Sequence, residues 1–434
     1  VASLFTSRND VAELPRVDAE PHDPPAADVG SGDVRELQSH TDPLAKPRDV
    51  PGQKEGPRQL QESRPVTTTV LPSFSIRRAH DHATIDLAMK CNSYITIVPR
   101  EQGRGISTIQ ANRNCALYVA MLLKDQGMCY AHSPSHAGHV TNPEIWNDFL
   151  GFGHGFKTYK EVKADKSLRH VALDWFKDPV IDYQSDAIMQ QMVATHLAAP
   201  QENTWYELQF GTRMYNNCHT APLLRQMYIA QRGRDRELKK PHIPLLYNKT
   251  CWNIACHWRR GDVMAPKHAS RQLPLSYFLH ILSAVVRIIA AHSGRCIRVH
   301  MFSDGDKAKP RKHGNPESPE TDIPEAFKPF TETLRDYSPQ VHINTEVTHT
   351  FHYLMTANVL VTSKSGFSYF AGQLSNHLVL AATGFATAID CDDRWVPVQA
   401  EARNSTFGTF DEQRFAMLWS WYQRNAQDVL ALFS

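Results

Sequence analysis

The chain has almost no charge surplus: 47 lysines and arginines face 45 aspartates and glutamates over 434 residues, a net charge of +2. A protein that grips a polyanion by its phosphates concentrates basic charge, so bulk nucleic-acid binding is excluded. A Gly-x-x-x-x-Gly-Lys-Ser/Thr loop is missing as well, which sets aside the usual phosphate cradle of kinases. No stretch reaches the roughly 20 consecutive apolar residues that cross a bilayer. The first 75 residues hold no Cys, Trp or Tyr, but ten of the 27 prolines. Such a segment cannot offset the entropy of ordering, and residues 1–75 read as a disordered stalk or linker.

The chain as a whole is 41% hydrophobic, so the part beyond that segment can bury one large core or two medium ones. Eight cysteines and the sequons Asn248-Lys249-Thr250 and Asn404-Ser405-Thr406 point to a secretory compartment. The sequence begins at Val1, so a signal peptide or membrane anchor upstream falls outside it.

The most informative stretch is Cys251-Trp-Asn-Ile-Ala-Cys-His-Trp-Arg-Arg-Gly-Asp-Val263. Apolar residues alternate through Trp258 and the run breaks at Gly261, as in a buried strand that ends in a tight turn. His257, Arg259, Arg260 and Asp262 stand at its carboxyl end, where open α/β sheets bind ligands. Paired guanidinium forks suit phosphate oxygens. The same residue types also build surface salt-bridge clusters.

Around it the pattern is α/β. A strand at Tyr94–Val98 leads through Gly103-Arg104-Gly105 into a helix that stops at Gly127, and a strand follows at Cys129–Ala131. His132, His136, His139 and His154 lack metalloprotease spacing, and no metal site is assigned. The aromatic and glycine-rich stretch Trp146–Gly153 reads as an acceptor-contact loop. Trp175 to Arg232 reads as helical, and Arg232 to Pro244 as a charged connection. Lys267–Arg271 is a polar loop placed to close over a ligand. Leu275–Ala291 is an apolar helix, and Ile297–Phe302 a strand ending in Ser303-Asp304. Val359–Thr362 is a strand that turns at Ser363 into a helix, so Ser365, Gly366, Phe367 and Ser368 fall at a helix N-terminus, which favours an anion. Phe410 to Leu432 closes the chain as a packing helix.

His257-Trp-Arg-Arg-Gly-Asp262 resembles the His-x-Arg-Arg-x-Asp signature of GDP-fucose-dependent fucosyltransferases, the superfamily that includes α1,2-, α1,6- and protein O-fucosyltransferases. The block Asn358 to Ser368 is similar to that superfamily's last conserved block, with Asn358 in the place of Asp and Gly366 in the place of the second Ser. Gly103–Gly105 resembles its first glycine loop, with Ile106 in the place of Asn. The resemblance implies cleft contacts from Arg104 and Gly105, and guanosine contacts from Ser303 and Asp304.

It also implies a GT-B-like fold, two Rossmann-like domains facing a cleft. The divisions would be 76–243 on the acceptor side, 244–398 for the nucleotide sugar, and 399–434 for the closing helix. The expected activity is inverting, metal-independent transfer of fucose from GDP-fucose to a hydroxyl of a glycan or glycoprotein, in the Golgi or another secretory lumen. The donor serves as co-substrate and no cofactor is expected. Arg259 and Arg260 would stabilise the departing diphosphate, and Asp262 or His257 would take the acceptor proton. Asp262 is equally placed to orient Arg260. Two other readings stay open: another UDP- or GDP-linked pentose or galactose donor, and a non-catalytic glycan-binding protein on a transferase fold.

Overall fold

The computed structural model describes residues 90–98, 106–133, 145–174, 186–209, 219–240, 243–264, 266–304, 324–384, 393–400 and 408–430. The side chains of Ile106 and Asp262, among others, are outside the description. So are the expected stalk 1–75 and the glycine loop with Arg104 and Gly105. Everything described belongs to one compact unit, Ser73–Ser434.

The elements run β1 (Ser93–Ile97), α1 (Ile106–Leu122), β2 (Met128–Tyr130), α2 (Ile145–Leu150), α3 (Tyr159–Ala164), β3 (Arg169–Leu173), α4 (Asp186–His196), β4 (Thr204–Leu208) and α5 (Ala221–Glu237). Then follow β5 (Trp252–His257), α6 (Leu275–His292), β6 (Ile297–Ser303), α7 (Lys328–Thr333), β7 (Gln340–Ile343), α8 (Val347–Thr356), β8 (Val359–Val361), α9 (Gly366–Leu374), β9 (Leu378–Ala382), β10 (Trp395–Ala400), β11 (Gly408–Phe410) and α10 (Glu412–Leu430). The first sheet has the order β2-β1-β4-β3, all parallel. The second has the order β11-β10-β9-β8-β5-β6-β7, with only the β10 and β11 pair antiparallel. Two Rossmann-like parallel sheets with crossover helices are the α/β, GT-B-like architecture expected.

All six residues of β5 are buried, because a central parallel strand is covered on both faces. It lies between β8 and β6. Helix α6 is the crossover from β5 to β6 and buries Tyr277, Phe278, Ile281, Leu282, Val285, Ile288 and Ile289, the stripe of a 3.6-residue period. By length and composition α6 is apolar enough to cross a membrane, but that stripe is used against the sheet. Disulfides join Cys91 to Cys129 and Cys251 to Cys296. The second ties together the amino ends of neighbouring strands β5 and β6.

The stretch 175–232, expected to be helical, contains β4, a strand buried at every position and paired on both sides. Its Thr-Trp-Tyr-Glu-Leu sequence carries a carboxylate, which is why it does not read as a core strand. Glu207 is accommodated by the Tyr159 hydroxyl and His170 Nε2, each at 2.9 Å. Helix α5 continues to Glu237, so the expected connection from Arg232 is helical in its first half. Trp395 starts β10.

Ile95, Leu117, Trp146, Phe149 and Tyr228 from the first half share one core with Leu360, Phe351, Phe370 and Trp395 from the second. The other face of the second sheet packs Val299, Met301, Phe278 and Trp419 in a separate core.

Candidate functional site

The site assembles where β5, β6 and β8 end. Side chains keep alternating past the last paired residue of β5. Ala255 belongs to the core shared with α9, and His257 lies with its ring 5.6 Å from that of Phe367. Cys256 and Trp258 belong to the opposite, α6 side. The next two residues are the arginines, and the alternation separates them.

Arg259 follows His257 towards α9. Its Nη1 donates to Ser365 Oγ at 3.1 Å. Ser365 is the residue before α9, with extended backbone at φ −136° and ψ 123°, and its side chain makes no capping hydrogen bond. A serine in that position normally accepts from a first-turn N–H; here the hydroxyl is committed to the guanidinium. The nine-residue helix therefore keeps its first-turn donors and its positive dipole end uncapped by Ser365. Ser365 and Ser368 are fully buried, and Ser368 Oγ donates to Ser365 O at 3.3 Å. A guanidinium and a helix N-terminus thus converge on one serine, an arrangement suited to phosphate oxygens.

Arg260 turns the other way. Its guanidinium carbon lies 4.7 Å from the Trp258 ring centroid and 5.7 Å from that of Phe327. Its backbone N–H donates to Asp304 Oδ1 at 2.8 Å. Asp304, expected as a guanosine contact, thus engages the β5 turn. Ser303, at the end of β6, is buried and its carbonyl accepts from Asn344 N at 2.9 Å. The two expected arginine side chains thus have different neighbours, Ser365 for Arg259 and the Trp258 and Phe327 rings for Arg260.

His257 is buried, and Ser363 Oγ lies 3.0 Å from its Nδ1. Burial, with Arg259 alongside, lowers its pKa to about 3. A neutral imidazole whose conjugate acid is that strong is a poor proton acceptor near neutrality. Asp262 lies in the 3-10 turn Gly261–Met264.

Two further cations stand beside the site, Arg271 of the expected polar loop and Lys364, which sequence reasoning did not single out. Arg271 Nε donates to Lys364 O at 3.4 Å, and Lys364 Nζ donates to Ser270 O at 3.3 Å. These bonds tie the turn Pro266–Arg271, expected as a polar loop, to the residues leading into α9. The available signal was the position of Lys364 between two serines at a helix N-terminus.

Other expected contributors lie elsewhere. Asn358 stands before β8, at the amino end of the sheet. Its Oδ1 accepts from Asn253 N at 2.8 Å and its Nδ2 donates to the Tyr422 hydroxyl at 3.0 Å. The stretch 146–153 is no acceptor loop: α2 occupies much of it, and Trp146, Phe149 and Phe152 are buried against Phe351, Phe367 and Phe370. Gly153 has φ +92°, and a Cβ there would meet the His132 ring at 2.3 Å. That glycine serves a close approach. His132 is buried between Tyr130 and Asn147, with its pKa lowered to about 3 by burial first and then by Arg113. His136 and His139 lie outside the described residues. Among the described residues no group of three or more His, Cys, Asp or Glu side chains could hold a metal ion.

No protein-family model matches the chain, and no curated protein matches it. Among solved structures it is similar to POFUT1 in complex with GDP, at 12% identity and a TM-score of 0.37, over 67% of this chain and 98% of that one. It is also similar to the E. coli heptosyltransferase WaaC with ADP, at 9% identity and a TM-score of 0.36, over 77% of this chain and 99% of that one. At such identities no residue role transfers.

Proposed function

We propose that the chain is an inverting glycosyltransferase that moves fucose from GDP-fucose to a hydroxyl of a glycan or glycoprotein without a metal ion. The observation that carries this reading is the Arg259–Ser365 contact at the uncapped N-terminus of α9. A diphosphate seated there meets a permanent cation and backbone donors together. Charge that builds on the leaving diphosphate is then stabilised by groups already in place, so little reorganisation accompanies bond breaking. His257 holds the Ser363 turn in its neutral form, which leaves Asp262 as the candidate base that the resemblance implies, a role it shares with orienting Arg260.

One observation favours a second reading, the same transfer with another nucleoside diphosphate sugar. Asp304, placed by the resemblance at the guanosine, uses Oδ1 on Arg260 N. We assign the protein to a secretory lumen, supported by the Cys91–Cys129 and Cys251–Cys296 disulfides among the described residues and by sequon Asn248-Lys249-Thr250, whose Lys249 and Thr250 are exposed. A mobility shift on peptide N-glycosidase treatment, lost in Asn248→Gln and Asn404→Gln together, checks the compartment.

The deciding experiment is calorimetric titration with GDP, UDP and GDP-fucose in EDTA, for the wild type and Arg259→Ala. Binding of GDP that the variant loses supports the main reading. Binding of UDP alone favours the second. Glycan binding with no affinity for any nucleotide overturns both.

A further inference from the structure

The turn that carries Arg259 lies beyond the sheet. The last ladder-type bond on this segment is Trp258 N to Phe302 O at 2.9 Å. After it, contacts of Arg260 and of Val263 hold the backbone among the described residues. Arg260 N donates to Asp304 Oδ1, and Arg260 O accepts from Val263 N at 2.9 Å. Val263 O in turn accepts from Gln272 Nε2 at 2.6 Å.

The side chain of Arg260 adds a third anchor. Trp258 is held by its own Nε1, which donates to Leu273 O at 3.0 Å, and meets Phe327 edge to face with centroids 5.0 Å apart. Both rings are buried, Phe327 at 1% exposure. A guanidinium laid against such a fixed pair is attracted by the negative ring faces, and its planar shape fits where an ammonium would not. Arg260 therefore has its backbone tied to β6 and its head tied to the α6 side, while the residue before it points to α9.

We propose that Arg260 is a positioning residue: the Trp258–Phe327 ring pair and Asp304 hold it so that the turn aims Arg259 at the anion site on α9. This rests on the transferase reading only for the identity of the anion. Asp304 then belongs to the same strut. The strut also assigns Trp258 and Phe327, both buried, an effect on ligand affinity.

The test is a double-mutant cycle in the full chain, with Arg260→Met and Arg259→Ala singly and together. GDP and inorganic pyrophosphate are titrated calorimetrically and melting temperature is measured in parallel. Positioning predicts that Arg260→Met weakens anion binding about tenfold in the wild type, yet adds less than about twofold once Arg259 is gone. Trp258→Leu should reproduce the loss, and Trp258→Phe, which keeps a ring face, should restore most of it. Losses that multiply would make Arg260 a direct ligand and overturn the proposal. A lowered melting temperature with unchanged affinity would make it merely structural, and overturns it too. If pyrophosphate binds and no nucleotide does, the transferase reading fails while the cycle is still read with pyrophosphate. If neither binds, both fall.

Discussion

Arg259 Nη1 donates to Ser365 Oγ at 3.1 Å, across 106 residues of sequence, and so uses the hydroxyl that would otherwise cap α9. The serine is the hinge of the site: it orients the cation and leaves the helix end open. Ser365→Ala should free the guanidinium and expose no new cap, lowering kcat/KM roughly ten- to hundredfold, the scale of one charge-assisted hydrogen bond. Steady-state kinetics with donor in excess and limiting donor separates the effect. An unchanged kcat/KM would mean that Arg259 is placed by other contacts.

Acid should destabilise this fold earlier than it does most. His132, His257, His300 and His377 are buried, and burial lowers each pKa to about 3. In the unfolded chain each would titrate near 6.5, so below that pH the unfolded state binds more protons and stability falls as pH drops from 6.5 towards 3. The slope is up to about 1.4 kcal/mol per pH unit for each fully buried histidine. Melting curves should lose several degrees between pH 6.5 and 5. A flat profile there would show that these rings open to water before the fold does.

Removing the Cys251–Cys296 disulfide should cost stability without touching the proposed anion site at α9. The Cys251–Cys296 bridge closes a loop with a sequence separation of 45 residues and lies at the opposite end of β5 from Arg259. In the chain-entropy view such a closure contributes about 4 kcal/mol. Cys251→Ser with Cys296→Ser should lower the melting temperature markedly, and GDP affinity of the folded fraction should stay within about twofold. A larger affinity change would mean that the amino end of the strand governs its tip.

The departure at Asn358 should matter for packing and not for donor choice. Its amide donates to Tyr422 while its carbonyl accepts from Asn253 N. Asn358→Asp places a carboxylate beside a buried hydroxyl in a fully enclosed setting, at a cost of about 1–3 kcal/mol. Denaturant unfolding should register that loss, and the preference between GDP and UDP should not move. A switch in preference would return Asn358 to the site.

Much of the second sheet was legible because its signals are local. The β5 run, the α6 stripe, Ile297–Ser303 and the Val359-to-Leu374 block each carry their own periodicity. The first sheet was less so: β4 hides Glu207 inside a strand, and that carboxylate is acceptable only because Tyr159 and His170 arrive from distant positions. Within the site, adjacency in sequence does not show that Arg259 and Arg260 turn to different neighbours. The period-two alternation already evident at Cys256, His257 and Trp258 assigns them to opposite sides of the strand. The partners that each would find, Ser365 and the Trp258–Phe327 pair, depend on tertiary packing and have no sequence signature. The Trp146–Gly153 stretch misled for the same reason, since an aromatic run reads alike whether it meets a sugar or Phe351.

The shared aromatic core has a consequence for biosynthesis. Trp146 and Phe149 leave the ribosome some 200 residues ahead of Phe351, which covers both. At translation speeds of about 5–20 residues per second, that face waits roughly 10–40 s for its lid. The amino-terminal half exposes that apolar face until the remainder is made, so expressed alone it should aggregate more than the full chain does.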